Sequence, residues 1–348
     1  MKVTAPQPLV PLRHAANDRR GRPLRDLRIS VTDRCNFRCP YCMPAEAFGP
    51  GHRFLGGEEL LSFDEIEAIA RAAVALGVEK IRLTGGEPLL RPGIEELVER
   101  IAGIPGVRDL ALTTNGSRLA PRAAALARAG LRRVTVSLDA LDDETFARMS
   151  GVGARVAPVL EGIAAARAAG LGPVKVNMVV RRGVNDHAIE AMARHFHGTG
   201  DVLRFIEYMD VGSCNRWNRD EVVSGEAIVR KVHAVLPLEP LDPAAPGEVA
   251  RRYRYRDGGG EIGVITSVTR PFCGGCVRAR LAADGTLYTC LFATDGHDLR
   301  RPLREGAGAE ALLERLRTIW SGRDDRYSEL RELLPVVSGK VEMSRVGG

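Results

Sequence analysis

The sequence predicts an α/β protein: an incomplete, six-unit (β/α)6 barrel of the TIM type, followed by a smaller C-terminal α+β region. Three observations carry this expectation. Six strand-like runs alternate with helical segments from residue 24 to about residue 209, and such a series builds a parallel sheet with right-handed crossovers. Polar, glycine-bearing segments fall where those strands end, the side on which barrels of this kind do their chemistry. Proline then recurs every third residue at Pro237, Pro240, Pro243 and Pro246, which favours extended polyproline-like backbone over helix or sheet. The expected parts are therefore 1–235 and 236–348.

The strand-like runs cover residues 27–32, 80–83, 109–113, 133–138, 174–180 and 203–207, each short and rich in branched apolar residues. The best-punctuated helix follows Ser62-Phe-Asp-Glu65, a capping box, and runs over 66–76 to a stop at Gly77. Further helices are expected at about 93–102, 121–129, 142–149, 156–169 and 186–197. Six units rather than eight favour an incomplete barrel over an open doubly wound sheet. Beyond the prolines, 250–256 and 261–266 flank Asp257-Gly-Gly-Gly260 as a hairpin, and 278–282 and 287–290 flank an Asp-Gly turn as another. A helix over 309–320 and a polar tail complete the chain.

At 348 residues and 45% hydrophobic content the composition is that of a globular protein, and a net charge of +6 does not by itself argue for nucleic acid. Only five of the 50 basic residues are lysines, a bias that genomic base composition explains. A lysine inside a strand, such as Lys175, stands out against it. Residues 1–20 contain no apolar signal-peptide core, and no apolar run approaches the roughly 20 residues needed to cross a bilayer. Six of the seven cysteines form two compact sets. That suits metal and a reducing compartment rather than a disulfide framework, so a cytoplasmic protein is expected.

The first set is Cys35-x-x-x-Cys39-x-x-Cys42, directly after the first strand. Three thiolates so spaced can hold three irons of a 4Fe–4S cube and leave the fourth iron open. Tetrahedral zinc wants four ligands, usually in Cys-x-x-Cys pairs. The plain alternative is three small buried hydrophobes. The second set is Cys273-Gly-Gly-Cys276 with Cys290 thirteen residues on. On spacing alone it suits zinc, with His297 as a fourth ligand, as well as iron–sulfur. Arg278-Ala-Arg280 follows the pair and would set two guanidiniums, suited to phosphate or purine, beside whatever the cysteines hold. His195 and His197 lie two apart on a helix and share no face. Cys214 has no partner in the pattern.

The stretch Arg28-Ile-Ser-Val-Thr-Asp-Arg-Cys35-Asn-Phe-Arg-Cys39-Pro-Tyr41-Cys42-Met43-Pro44 resembles the cluster loop of the radical S-adenosylmethionine (radical SAM) enzymes. Together with both cysteine spacings, Arg278-x-Arg280, Thr84-Gly-Gly-Glu-Pro88, Phe205-Ile-Glu-Tyr-Met-Asp210 and Gly347-Gly348, the chain from Arg19 to Gly348 resembles one branch of them. That branch is the GTP 3′,8-cyclase family of molybdenum cofactor biosynthesis.

The resemblance implies two 4Fe–4S clusters, one on Cys35, Cys39 and Cys42, the other on Cys273, Cys276 and Cys290. It implies SAM bound near Tyr41, Gly86, Ser137 and Met209. It implies GTP bound by Arg28, Arg82, Thr113, Lys175, Arg204, Arg278, Ala279 and Arg280, with Arg28, Arg278, Arg280, Gly347 and Gly348 required for catalysis. In such an enzyme a 5′-deoxyadenosyl radical takes the ribose 3′ hydrogen and the resulting carbon radical attacks guanine C8. The implied partners are an electron donor and, by product transfer, a downstream cyclic pyranopterin monophosphate synthase. Membrane and nucleic acid are not among them, and the chain is expected as a monomer or homodimer. Two other readings stand beside this one: another radical SAM enzyme with an auxiliary cluster, and a two-cluster electron-transfer protein, which would need no Thr84-Gly-Gly-Glu-Pro88.

Overall fold

Strands form where branched residues alternate or cluster, and helices form between them. A computed structural model describes residues 16–245, 247–333 and 339–347. Most of residues 1–20, Pro246 of the proline series and Gly348 of the terminal pair lie outside the described residues. The first six strands are β1 (Asp26–Ser30), β2 (Lys80–Thr84), β3 (Asp109–Thr114), β4 (Arg133–Ser137), β5 (Lys175–Val180) and β6 (Val202–Glu207). Between them run α1 (Phe63–Ala75), α2 (Ile94–Ala102), α3 (Ala123–Arg128), α4 (Asp143–Ser150), α5 (Ala157–Ala168) and α6 (Ile189–Phe196). Ser62 and Glu65 close the expected capping box at the start of α1.

The C-terminal part supplies α7 (Gly225–Val235), β7 (Leu238–Leu241), β8 (Arg251–Tyr255), β9 (Glu261–Ile265), β10 (Arg278–Leu281), β11 (Thr286–Tyr288) and β12 (His297–Asp298). It ends with the helices α8 (Arg300–Arg304), α9 (Ala309–Ser321), α10 (Tyr327–Leu330) and α11 (Met343–Val346). All twelve strands share one sheet, in the order β12-β11-β10-β1-β2-β3-β4-β5-β6-β9-β8-β7. Both expected hairpins form, β8 with β9 and β10 with β11. The sequence pattern does not show where they go. Strand β9 pairs in parallel with β6, and β10 pairs in parallel with β1, so each hairpin extends one end of the six-stranded barrel wall.

Part of the proline-rich stretch departs from expectation. Residues 238–241 are strand β7, paired antiparallel with β8. Pro240 is tolerated there because β7 is an edge strand, where a missing N–H costs no ladder bond. Helix α7 was not expected; Ser224 caps it by accepting from the Ala227 N–H. In the wall itself, one set of alternate side chains packs outward. Ile29, Leu83, Leu112, Val136, Met178 and Phe205 are fully buried in the main apolar core. The other set faces inward, and there the sequence places charge.

Candidate active site

Arg28 of β1, Arg82 of β2, Thr113 of β3, Asn177 of β5, Arg204 of β6, Ile265 of β9 and Arg278 and Arg280 of β10 line one cavity. Seven strands can surround one space only if the sheet curls, as an open barrel does. The cavity encloses about 930 Å³, open mouth included. The parallel register sets Arg280 beside Arg28 and Arg28 beside Arg82, three cations across adjacent strands. Arg82 donates to the hydroxyls of Thr113 and Thr135 at 3.0 Å each, and Arg204 to Thr135 at 3.4 Å. In all five arginines the Nε–H is buried without a partner among the described residues. Among the described residues no Asp or Glu lines this space. Carboxylates act from outside the lining: Asp26, one pleat deeper opposite Arg278 and Lys80, reaches Arg28, Arg82 and Arg280, Asp109 reaches Arg82, and Glu248 reaches Arg204. Burial, and for Arg28 the neighbouring Arg280, pulls the guanidiniums of Arg28, Arg82, Arg204 and Arg280 down from their ordinary value. The arrangement is costly unless a polyanion joins it.

Lys175 faces the same interior but is not among the lining residues; it sits two residues deeper on β5 than Asn177. Burial first, then Arg204, lowers its ammonium to about 8. Ala279 points the other way, into the apolar core, so it can meet a ligand only through its backbone. Met209 lines the cavity, whereas Ser137 closes β4 beside Asn177.

The first cysteine loop leaves the top of β1 and is stitched to the loop after β2. Gly86 N–H donates to Thr32 O at 2.8 Å, and Glu87 N–H to Arg34 O at 2.8 Å. A Cβ on Gly86 would lie 2.1 Å from Arg34 O, so only glycine lets the two loops meet. Glu87 is fully buried and accepts from the Thr114 hydroxyl and the Asn115 and Leu89 N–H groups. Asn115 in turn donates to Cys35 Sγ at 3.9 Å. Tyr41 donates to Asp139 at 2.8 Å, and Asp139 also accepts from Val179 N–H, tying the loop to the ends of β4 and β5. Burial lifts the Asp139 carboxyl to about 7 against the pull of those two donors.

Cys273, Cys276 and Cys290 all line the arginine cavity. Arg278 donates to Cys276 Sγ at 3.6 Å and Phe292 N–H to Cys290 Sγ at 3.5 Å. Burial alone would raise the Cys276 thiol; Arg278, Arg323 and Arg280 outweigh it and bring it down to about 6. Burial holds Cys35 and Cys290 up at about 11 and drives Cys39 and Cys42 up as well.

All six thiols are free, and sulfur-directed N–H groups reach Cys35, Cys276 and Cys290. Each set offers three thiols, one short of the four ligands of a closed zinc site. A cube asks for something else, one thiolate per iron, with its positive irons ionising thiols that burial alone keeps neutral. His297 is exposed and lines a different hollow from the one that Cys273, Cys276 and Cys290 line. Both cysteine sets fit iron–sulfur clusters.

The C-terminal tail enters the same region. Gly347 has φ +65°, and a Cβ there would fall 2.1 Å from Thr84 at the end of β2. Glu342 accepts from Ser213 N–H and from the Cys214 thiol at 2.9 Å each, so Cys214 does have a partner. Met343 packs with Val211 and Phe292 in an apolar cluster that Cys42 and Cys290 both touch. The tail thus lies between the two cysteine sets. Pattern reading gave no role to Asn177, Asp26, Glu342 or Phe292. Of these, Asn177 had a visible signal, a polar residue inside an apolar strand.

Residues 29–196 match the model of the radical SAM superfamily, and 201–329 that of the molybdenum cofactor synthesis C-terminal region. A GTP 3′,8-cyclase of Xanthomonas axonopodis pv. citri is 54% identical over 331 residues, 95% of this chain and 98% of its own length. One from Acidothermus cellulolyticus is 56% identical over 91% of this chain and 88% of its own, and one from Staphylococcus aureus 45% over 95% and 98%. Among solved structures, Streptococcus suis SuiB bound to S-adenosylmethionine superposes with a TM-score of 0.60 at 15% identity. It covers 88% of this chain and 68% of its own, a likeness of fold alone.

Proposed function

We propose a division of labour for a chain that belongs to the GTP 3′,8-cyclase family of radical SAM enzymes: the barrel end near Cys35 generates a radical, and the arginine cavity presents GTP to it. The reaction is conversion of GTP to 3′,8-cyclo-7,8-dihydroguanosine 5′-triphosphate, the first step of molybdenum cofactor biosynthesis. The observation that carries the substrate side is the set of five arginines, each with a buried, unpartnered Nε–H, around a space that no described carboxylate lines.

Cys35, Cys39 and Cys42 would hold one 4Fe–4S cluster and Cys273, Cys276 and Cys290 a second; when bound, they supply the electron that splits SAM and an open iron for the guanine. Tyr41, fixed by Asp139, covers the adenosyl side, and the narrow Gly86 loop admits the methionine part of SAM against bare backbone. Arg28, Arg82, Arg204, Arg278 and Arg280 take the triphosphate, Lys175 neutralises it from below, and Thr113 offers a hydroxyl. Holding the ribose 3′ carbon against the deoxyadenosyl carbon converts hydrogen abstraction into a contact reaction. The new 3′ radical then bonds to C8, and one electron and one proton complete the product. Gly347, arriving between the cysteine sets, closes the cavity against water, and the family resemblance assigns Gly348 a part in the same step. Residues 1–235 form the radical-generating barrel and the inward Arg28, Arg82 and Arg204, while 236–348 add the second cysteine set and Arg278 and Arg280. Free thiols throughout fit a reducing cytoplasm, with an electron donor and the next enzyme of the sequence as partners.

Anaerobic protein with SAM, dithionite and GTP tests this. Deoxyadenosine formed only when GTP is present, together with the cyclised nucleotide, is expected. Deoxyadenosine formed equally without GTP, or none at all, would sink the assignment. A Cys273/Cys276/Cys290 triple alanine variant should fall from about eight irons to about four.

A further inference from the structure

Behind the second cysteine set lies a buried ion triad that the reaction itself does not use. Asp18 binds Arg22 at 2.6 Å and Arg323 at 3.0 Å, and all three side chains are almost wholly buried. Beside bonds to Asp325, from Arg22 to its carbonyl at 2.8 Å and from Arg323 to its carboxylate at 3.2 Å, the two guanidiniums donate to a particular set of carbonyls. Arg22 donates to Cys273 O at 2.9 Å. Arg323 donates to Cys276 O at 2.9 Å and to Thr289 O, just before Cys290, at 3.1 Å. Each segment that bears a cysteine of the second set is thus held from behind by one of two arginines. The arginines are fixed in turn: Trp320 donates to Arg22 O at 3.0 Å, and Arg323 lies 4.6 Å over the Trp320 ring. Arg22 Nη2 is buried without a partner among the described residues.

An ion pair this deep gains little net stability over apolar packing, so its retention asks for another reason. We propose that Arg22 and Arg323, joined through Asp18, form a cationic clamp that holds the three cysteine segments in ligating position and sets the second cluster's affinity and reduction potential. This rests on the reading that those cysteines hold an iron–sulfur cluster. The physical basis is twofold. Fixed backbone lowers the entropy lost when three thiolates close on a cube, and nearby positive charge favours the reduced, more negative cluster. Arg22 and Arg323 are positioning residues, since they reach the cluster only through its ligands' backbone.

The test compares full-length wild type with R323M and R323K, each reconstituted anaerobically, by iron and sulfide analysis and by EPR-monitored redox titration. R323M, losing fork and charge, is expected to drop from about eight irons per chain towards about four. Its remaining second-cluster signal should titrate at a more negative potential, while the first cluster keeps its own. R323K keeps charge without the fork, so its iron should fall while the potential of the retained clusters stays near wild type. R323M with full iron at the wild-type potential overturns the clamp, as does R323K indistinguishable from R323M in potential. Should R323M lose both clusters and its cooperative melt, R22M, which leaves Asp18 paired with Arg323, is read by the same two criteria. A wild-type chain that takes up only one cluster would instead overturn the proposed function, so the two failures are separable.

Discussion

A single ammonium and a single glycine carry two of the most readable consequences of the site. Lys175 is held at about 8 by burial and by Arg204, against an ordinary 10.5. A triphosphate favours the charged form and would return its pKa upward, so binding near pH 8 to 9 should take up a proton that binding at pH 6.5 does not. Calorimetry in buffers of different ionisation enthalpy measures this, and equal heats at pH 8.5 would remove Lys175 from the phosphate site. The sign for stability follows from the same shift. A lysine lowered in the fold costs stability below pH 8, and that cost fades as pH rises from 8 towards 10.5. Gly347→Ala puts a Cβ into Thr84 at a backbone angle worth about 1–3 kcal/mol of strain to any other residue. The tail would be displaced while both cysteine loops stay put. Cyclised product should fall at least tenfold with full iron content; wild-type turnover would refute the tail's role.

At the level of elements, the tail is held by side-chain latches as well as by Val341, Met343 and Val346, which are buried in two small apolar clusters. Helix α11 has four residues, and its neighbours Lys340 and Glu342 bind Asp210 and the 213–214 turn respectively. Asp210 also accepts from Tyr327 at 2.6 Å and Arg331 at 3.0 Å, so one carboxylate fastens α10 and the tail to the loop after β6. Burial opposes its ionisation, and Tyr327, Arg331 and Lys340 together hold its carboxyl below the ordinary range. Glu342→Ala removes the latch without touching the cavity lining. Deoxyadenosine should then form with less cyclised product per equivalent, as the mouth opens to water. A ratio unchanged from wild type would mean the latch is incidental.

Over the whole molecule, the balance is a cationic cavity closed on an apolar shell. Five arginines with unused donors repel one another inside the barrel, and a bound polyanion removes that repulsion. GTP at a hundred times its dissociation constant should therefore stabilise the fold by about 2.7 kcal/mol, several degrees in melting temperature. Tripolyphosphate should give part of that rise and guanosine little. The reverse order would place the base, rather than the phosphates, as the main anchor.

The sequence by itself determined the six βα units, both cysteine sets and the inward charges Arg28, Arg82, Lys175 and Arg204, because periodicity and spacing are local properties. It also held the hairpin that carries Arg278 and Arg280, though not its destination. Only the tertiary structure decided that β10 pairs with β1 and β9 with β6. That pairing turns arginines 250 residues apart in the chain into neighbours around one cavity. It likewise decided that Glu342 meets Cys214, that Gly347 meets Thr84, and that Asp18 gathers Arg22 and Arg323 behind Cys273. Strand pairing at a sheet edge and burial of an ion triad are settled by which surfaces remain after the barrel closes. A linear pattern of hydrophobicity and spacing holds no record of those surfaces.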